Sequence, residues 1–344
     1  MKPIEYTGAK VYHEHGYKGE GVVIAIVDTG VAHHPDLDIL EGWGYQGIPP
    51  DEDASGHGTH VAGIAAGKKY GVAPAAKILP VRITSHSTSN GSIIAQGLEW
   101  LIEWKKKHSE RLVVNISFGG TATPAVLSAI NELVKNDVPV CVAAGNDSKE
   151  LFELGYYKSP VVVGNLTGSG KMARTSNCRG EETDCVTVGT TVYSCDVDGG
   201  YCYKSGTSMA SPSVAGMLAL ILSRWPALSE PAAVAQLLRT GRDELVKCIS
   251  GQHYIPHVSF SNIPFGKDDE KSSFIPAKMK IQNLPSNKAA VIRKTPGGIR
   301  LTSIKNGKIV VGLEIDGNYQ QISYPISSKE VGIGWIAKKY VGGV

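Results

Sequence analysis

No run of eighteen or more apolar residues occurs in the 344-residue chain, so a membrane-spanning helix is excluded. Charged residues are scarce, at 19%, and the apolar share of 42% is ordinary, which rules out a chain disordered throughout. A collagen-like glycine period is missing. The first 21 residues have no apolar core of the export-signal kind, being punctuated by Lys2, Glu5, Lys10, Glu14, Lys18 and Glu20. The expectation is a chain that begins folded, is a processed product, or leaves the cell by another route.

Glycine is in excess. The chain has 40 glycines, and at roughly twice the common share such residues mark tight turns and close backbone approaches. The net charge of +3 also conceals an asymmetry. Residues 276–344 carry a balance of +8, and the preceding 275 carry −5. Two parts of opposite sign point to two domains with different partners.

Short continuous apolar runs read as strands covered on both faces: Val22–Val27, Ile78–Ile83, Leu112–Ile116, Val138–Ala144 and Val161–Val163. Helical patterns separate them. Ile93, Ile94, Leu98, Leu101 and Ile102 recur at helical spacing, and Thr123-Pro124 is a capped helix start. Such alternation predicts a mainly parallel sheet between helices, with ligands at the carboxyl ends of its strands. Further helices are predicted over Ser208–Arg224 and from Ser229 to about Leu245. Residues 263–275 read as a linker, and short strand-like pieces with turn signals from 276 to 344 predict a small all-β barrel.

Three glycine-flanked polar groups stand at the ends of these elements. Asp28 closes the first strand in Asp-Thr-Gly, His57 lies in Ser55-Gly56-His57-Gly58-Thr59-His60, and Ser208 lies in Ser205-Gly206-Thr207-Ser208-Met209-Ala210. A serine hydroxyl is a weak nucleophile at neutral pH, so acyl transfer needs an imidazole base and a carboxylate to orient it. Ser208 opens an apolar helix whose N-terminus favours developing negative charge. Asn146, in Ala143-Ala144-Gly145-Asn146, is placed to offer a second donor to an oxyanion.

Residues from about Gly8 to Leu245 resemble the subtilisin family of serine endopeptidases, in which the Asp-His-Ser order is the same. The resemblance implies a three-layer α/β fold, with Asp28 orienting the base, His57 as general base and acid, Ser208 as nucleophile and Asn146 completing the oxyanion hole. It further implies that Ser117, Phe118 and Gly119 pair with extended substrate as an added strand. Ala144, Gly145 and Gly155 resemble walls of the primary specificity pocket. Leu151–Pro160 lacks the family's tyrosine-proline turn, and Glu153 lies near the pocket without a clear place in it. An apolar or aromatic residue before the cut bond is the default expectation. Asp36 matches a calcium-binding position of many relatives, but the stretch Ala65–Gly71 is too short to bring the usual partners. No cofactor is expected to be required, no metal ligands are assigned, and that calcium site is expected to be missing. Calcium elsewhere stays open.

The residues 276–344 resemble a bacterial Src-homology-3-like domain through Val291-Ile292-Arg293, Asn306-Gly307-Lys308 and Gly334-Trp335-Ile336-Ala337. Domains of that kind commonly bind cell-wall polymers, which the +8 balance suits. No aromatic stacking series points to nucleic acid. The six cysteines leave disulfides or free thiols open, and Cys195 and Cys202 flank a hairpin they could staple. Cysteine pairs favour an extracellular or wall-associated place, with the cytoplasm as alternative. Residues 1–262 are thus expected to form a serine endopeptidase acting on protein or peptide substrates. The alternatives are a catalytically silent peptide-binding pseudoprotease or a wall-binding module.

Overall fold

The computed structural model describes residues 1–85, 90–117, 123–149, 159–178, 183–248, 251–262 and 265, and beyond these the seven strands of the C-terminal part. The chain divides into two compact units, residues 1–264 and 265–344.

In the first unit two short helices, α1 (Pro3–Tyr6) and α2 (Lys10–Glu14), precede β1 (Val22–Asp28) and β2 (Trp43–Gly44). There follow α3 (His57–Ala66), β3 (Lys77–Arg82), α4 (Gly91–Lys107), β4 (Arg111–Ile116), α5 (Pro124–Lys135), β5 (Val140–Ala143), β6 (Val161–Leu166) and β7 (Cys185–Val188). A hairpin of β8 (Val192–Cys195) and β9 (Tyr201–Lys204) leads to α6 (Thr207–Arg224), α7 (Glu230–Arg239), β10 (Gly241–Cys248) and β11 (Gly251–Val258). The sheet order is β10-β11-β7-β6-β5-β4-β1-β3-β2, with every pair parallel except β10 with β11.

All seven residues of β1 are buried, as a strand covered on both faces requires. Val23, Ala25 and Val27 pack with Ile94, Leu98 and Leu101 of α4 and Ile130 and Leu133 of α5. Each such side chain contributes about 1.5–3 kcal/mol through burial. The opposite face of the sheet receives α3 and α6, and α6 is buried nearly all round. The chain leaves β1 toward β3 on one side and returns to β4 on the other. This reversal opens a crevice at the carboxyl ends of β1 and β4, the usual ligand position in such sheets.

The sequence reading overextends one helix. Instead of running to Leu245, α7 stops at Arg239. The chain turns at Thr240, and Gly241 starts a strand that pairs with Gly251–Val258 at the sheet edge. A Cβ on Gly241 would press on Pro256 and on the Leu238 carbonyl, so this corner suits glycine. The cysteines also pair differently from the suggested staple. Cys178 is bonded to Cys248, while Cys195 and Cys202 are free thiols on the expected hairpin. Those two cysteines sit one register step apart across β8 and β9, with Cys202 opposite Ser194 and Cys195 opposite Tyr201. The Cys178–Cys248 bond spans 70 residues of chain and by loop closure contributes about 2–4 kcal/mol.

The second unit holds one antiparallel sheet of β12 (Ala277–Ile281), β13 (Ala289–Arg293), β14 (Arg300–Lys305), β15 (Ile309–Asp316), β16 (Tyr319–Pro325), β17 (Val331–Ala337) and β18 (Val341–Gly343). Its order is β14-β13-β17-β16-β15-β12-β18. The linker assigned to residues 263–275 lies almost wholly outside the described residues.

Candidate active site

Asp28 ends β1 and is fully buried, and its Oδ1 accepts the His57 Nδ1–H at 2.7 Å and the Thr29 amide at 2.8 Å. His57 is the first residue of α3. The turn into this helix needs glycine twice: Gly56 has φ +68°, and a Cβ on Gly58 would collide with the Gly30 carbonyl oxygen. The same turn is held by a carboxylate that the sequence reading passed over. Asp53, 6% exposed, accepts the amides of Ser55 (3.1 Å), Gly56 (2.9 Å) and Thr59 (2.8 Å) and the hydroxyls of Thr29 and Thr59. It thereby satisfies amides at the start of α3 that the helix itself leaves unbonded. The Thr29 hydroxyl in turn accepts the Gly58 amide at 3.0 Å. An aspartate shortly before Gly-His-Gly, in a segment rich in turn residues, was the available signal.

Burial pushes the His57 pKa down, but the Asp28 charge and hydrogen bond, helped by Asp53, outweigh it and leave the imidazole above its ordinary value. Lys204 acts in the opposite sense. A raised histidine pKa stabilises the fold at pH values below the unfolded value, and this contribution is lost as pH rises through the folded one. Base catalysis has the reverse need, for neutral imidazole. The acid limb of a kcat/KM profile is therefore expected above the usual imidazole midpoint of about 6.5. Substituting Lys204→Met removes an opposing charge and should move that limb higher still. A limb that stays put or falls in Lys204→Met contradicts this electrostatic picture.

Ser208 is the second residue of α6, where amides have no partner within the helix. In the resting arrangement its hydroxyl donates to the Ser117 carbonyl at 3.0 Å, while the Ser117 hydroxyl donates to the Ser208 carbonyl at 3.0 Å. This exchange follows from Pro212, which sits four residues on in α6. Proline has no N–H, so the Ser208 carbonyl lacks its helical partner and takes the Ser117 hydroxyl instead. Asn115 completes the stitch, donating to the Ser117 hydroxyl at 2.8 Å and accepting from Ser211 at 2.7 Å. A nucleophilic role for Ser208 would require its hydroxyl to turn from Ser117 toward His57; such bonds commonly align only with substrate present.

Asn146 follows β5. Its Oδ1 accepts the Thr207 amide at 2.8 Å and the Thr207 hydroxyl at 3.2 Å, which leaves the Nδ2 hydrogens for another acceptor. Thr207 also accepts the Gly145 amide at 3.1 Å, so the residue before Ser208 fixes the Asn146 loop from both sides. On its outer side the loop is gripped by residues 174–178. Asn177 donates its amide to the Gly145 carbonyl at 2.8 Å, and its side-chain oxygen accepts the amides of Asp147 (2.9 Å) and Lys149 (3.0 Å). Neither Thr207 nor Asn177 was singled out from sequence.

The structure thus gathers Asp28, His57, Ser208, Asn146, Ser117, Ala144 and Gly145 around the carboxyl ends of β1, β4 and β5. Phe118, Gly119 and Gly155, assigned to substrate from the resemblance, lie outside the described residues, as does Glu153. Ser117 continues β4, an interior strand of the sheet. His60 is fully buried, its Nε2 is 3.3 Å from the Cys202 carbonyl, and burial pushes its pKa down to about 4, so it stays neutral.

The surroundings of Asp36 do not fit calcium. Its carboxylate accepts the Lys69 amide at 3.1 Å and the Tyr201 hydroxyl, and the Lys69 ammonium stands 5.2 Å and 5.6 Å from the Tyr70 and Tyr201 rings. The Asp36 carboxylate thus faces two hydrogen-bond donors, a peptide N–H and a phenol, where a hard cation wants six to eight oxygens. Among the described residues no group of three or more acidic, histidine or cysteine side chains could hold a metal.

Comparison with known proteins gives a consistent set of likenesses. Residues 19–254 match the family model described as Subtilase family. Subtilisin E from Bacillus subtilis (strain 168) is 36% identical over 241 residues, which cover 65% of this chain and 61% of that protein. Subtilisin from Bacillus pumilus is 36% identical over 241 residues, covering 65% of this chain and 84% of that protein. Among solved structures, that of a cold adapted subtilisin-like serine proteinase has a TM-score of 0.65 at 30% identity, covering 71% of this chain and 90% of the other.

Proposed function

The chain belongs to the subtilase family, and from that premise we propose that it is a serine endopeptidase that cuts internal peptide bonds through an acyl-enzyme. The observation that carries the reading is the buried Asp28 carboxylate 2.7 Å from His57 Nδ1, together with Ser208 at the head of α6, whose hydroxyl is bonded to Ser117 at the end of the neighbouring strand β4. Asp28 fixes the tautomer that leaves Nε2 free as base. Ser208 attacks the peptide carbonyl as Nε2 takes its proton. The oxyanion receives the Ser208 amide, at the positive end of α6, and the Asn146 side chain. His57 then protonates the leaving amine and next activates the water that releases the acyl group.

Carried over from the family resemblance, residues 117–119 are the proposed pairing segment for extended substrate, and Ala144, Gly145 and Gly155 the proposed bounds of the residue before the cut bond. Replacing Asn146 by alanine is expected to lower kcat by about 10²–10³ with little change in KM, on the scale known for the same donor in subtilisin itself. An unchanged kcat removes Asn146 from the oxyanion hole. The whole reading is tested by profiling cleavage of a peptide library. An endopeptidase gives internal cuts, whereas a pseudoprotease binds the same peptides and returns them whole.

For the second unit we propose a Src-homology-3-like module that docks on anionic wall polymer. Its +8 balance and antiparallel sheet support that reading. Retention of the full chain on such a polymer should fall steeply with salt. A Cys178–Cys248 bond supports a place outside the reducing cytosol.

A further inference from the structure

One end of the Cys178–Cys248 bond, Cys178, belongs to the bracket that holds the oxyanion loop. Residues 174–178 grip residues 145–149 through several hydrogen bonds: Asn177 to Gly145, Asp147 and Lys149, Cys178 N–H to the Lys149 carbonyl (3.2 Å), Ser148 N–H to the Thr175 carbonyl (3.0 Å), and the Ser148 hydroxyl to the Arg174 carbonyl (2.8 Å). Asn177 is 1% exposed, so its amide oxygen has no water to fall back on. On the far side of the disulfide, Cys248 ends β10, the outermost strand of the sheet. The bond therefore ties the loop presenting Asn146 to the edge of the sheet. Packing of Cys178 and Cys248 with Leu166, Val186 and Ile255 keeps the two sulfurs in a small apolar cluster.

We infer that this disulfide is a redox control on catalysis, with Asn177 as the positioning residue that passes its state to Asn146. The inference rests on the serine-endopeptidase reading. Opening the bond takes two electrons and two protons from an external dithiol, which closes to its own disulfide and leaves thiols at Cys178 and Cys248. The 174–178 segment then loses its covalent anchor, and Asn177 no longer holds residues 145–149 in one position. Gly145, which bounds the residue before the cut bond, keeps its own amide bonded to the Thr207 hydroxyl when the bracket loosens, and the Asp28–His57 pair is not touched. The effect consequently falls on kcat.

The test uses the full chain with and without dithiothreitol, each state alkylated and peptide-mapped to show whether residues 178 and 248 have opened. Reduction should lower kcat at least about tenfold, within the range for loss of an oxyanion donor. KM should change by less than about threefold, the acid limb of the pH profile should stay in place, and the far-UV spectrum should be retained. Reoxidation should restore kcat. Asn177→Ala, with the bond intact, should show the same kcat loss and no further response to reductant. Cys202→Ser should keep both the activity and the redox response. Unchanged kcat after proven opening overturns the inference, and so does loss of the far-UV spectrum on reduction, which makes the bond structural only. Failure of the underlying reading is distinct: the oxidised chain itself would then cut no peptide.

Discussion

Ser208→Ala is expected to reduce kcat by about 10⁶ while leaving the fold intact, the scale that removal of the nucleophile has in subtilisin, a relative of this chain. The substitution removes the hydroxyl oxygen on which the proposed acyl-enzyme forms. It also removes one hydrogen bond, from the Ser208 hydroxyl to the Ser117 carbonyl. That costs about 1 kcal/mol, too little to unfold the domain. The reciprocal bond from Ser117 to the Ser208 carbonyl survives, because it uses the backbone. Residual turnover, from the oxyanion donors and binding, should still exceed the uncatalysed rate. Adding His57→Ala should cost little more, since a base without its nucleophile has nothing to activate. An additive further loss of several orders of magnitude would assign His57 some other role.

Asp28→Asn should cost about 10⁴ in kcat, the scale that loss of the triad carboxylate has in subtilisin. Here both the Thr29 amide and the His57 Nδ1–H bond to the same oxygen, Oδ1, and the buried Oδ2 has no hydrogen-bond partner. An asparagine that keeps its oxygen in the Oδ1 position preserves the imidazole tautomer and places its amide nitrogen where nothing accepts from it. The loss then comes from charge, because no carboxylate stabilises the imidazolium formed during attack. The sign of the accompanying pH effect is fixed: Asp28 raises the His57 pKa, so the acid limb of the residual activity should move to lower pH. A limb unmoved in Asp28→Asn shows that the carboxylate is not what sets it.

Much of the first unit was legible because its strands carry short apolar runs that end close to the polar residues of the candidate site. β1 with Asp28, and α6 with Ser208, are read directly from Val22–Val27 and from the run after Met209. The hairpin of β10 and β11 was not legible. Glu244 and Leu245 suit a helix locally, and only pairing with β11 makes them a strand. The Cys178–Cys248 pairing could not be read either, since spacing says nothing about partners 70 residues apart.

The site shows the same division. The groups that react carry motifs, and the groups that hold them mostly do not. Thr207 and Asn177 act through hydrogen bonds between segments distant in sequence, so their roles exist only after folding. Ser117 owes its bond with Ser208 to a proline four positions along a different element, a relation visible only once β4 lies beside α6. Asp53 is the intermediate case, close enough to His57 for its capping role to be argued locally.

The central claim is that Ser208 is a nucleophile activated by His57. Treating the folded full chain with a fluorophosphonate and mapping the adduct by mass tests it most directly. One adduct per chain is expected, at Ser208, formed rapidly in the native state and lost on unfolding or in His57→Ala. A folded chain that takes up no reagent, or takes it up at another residue, would contradict it.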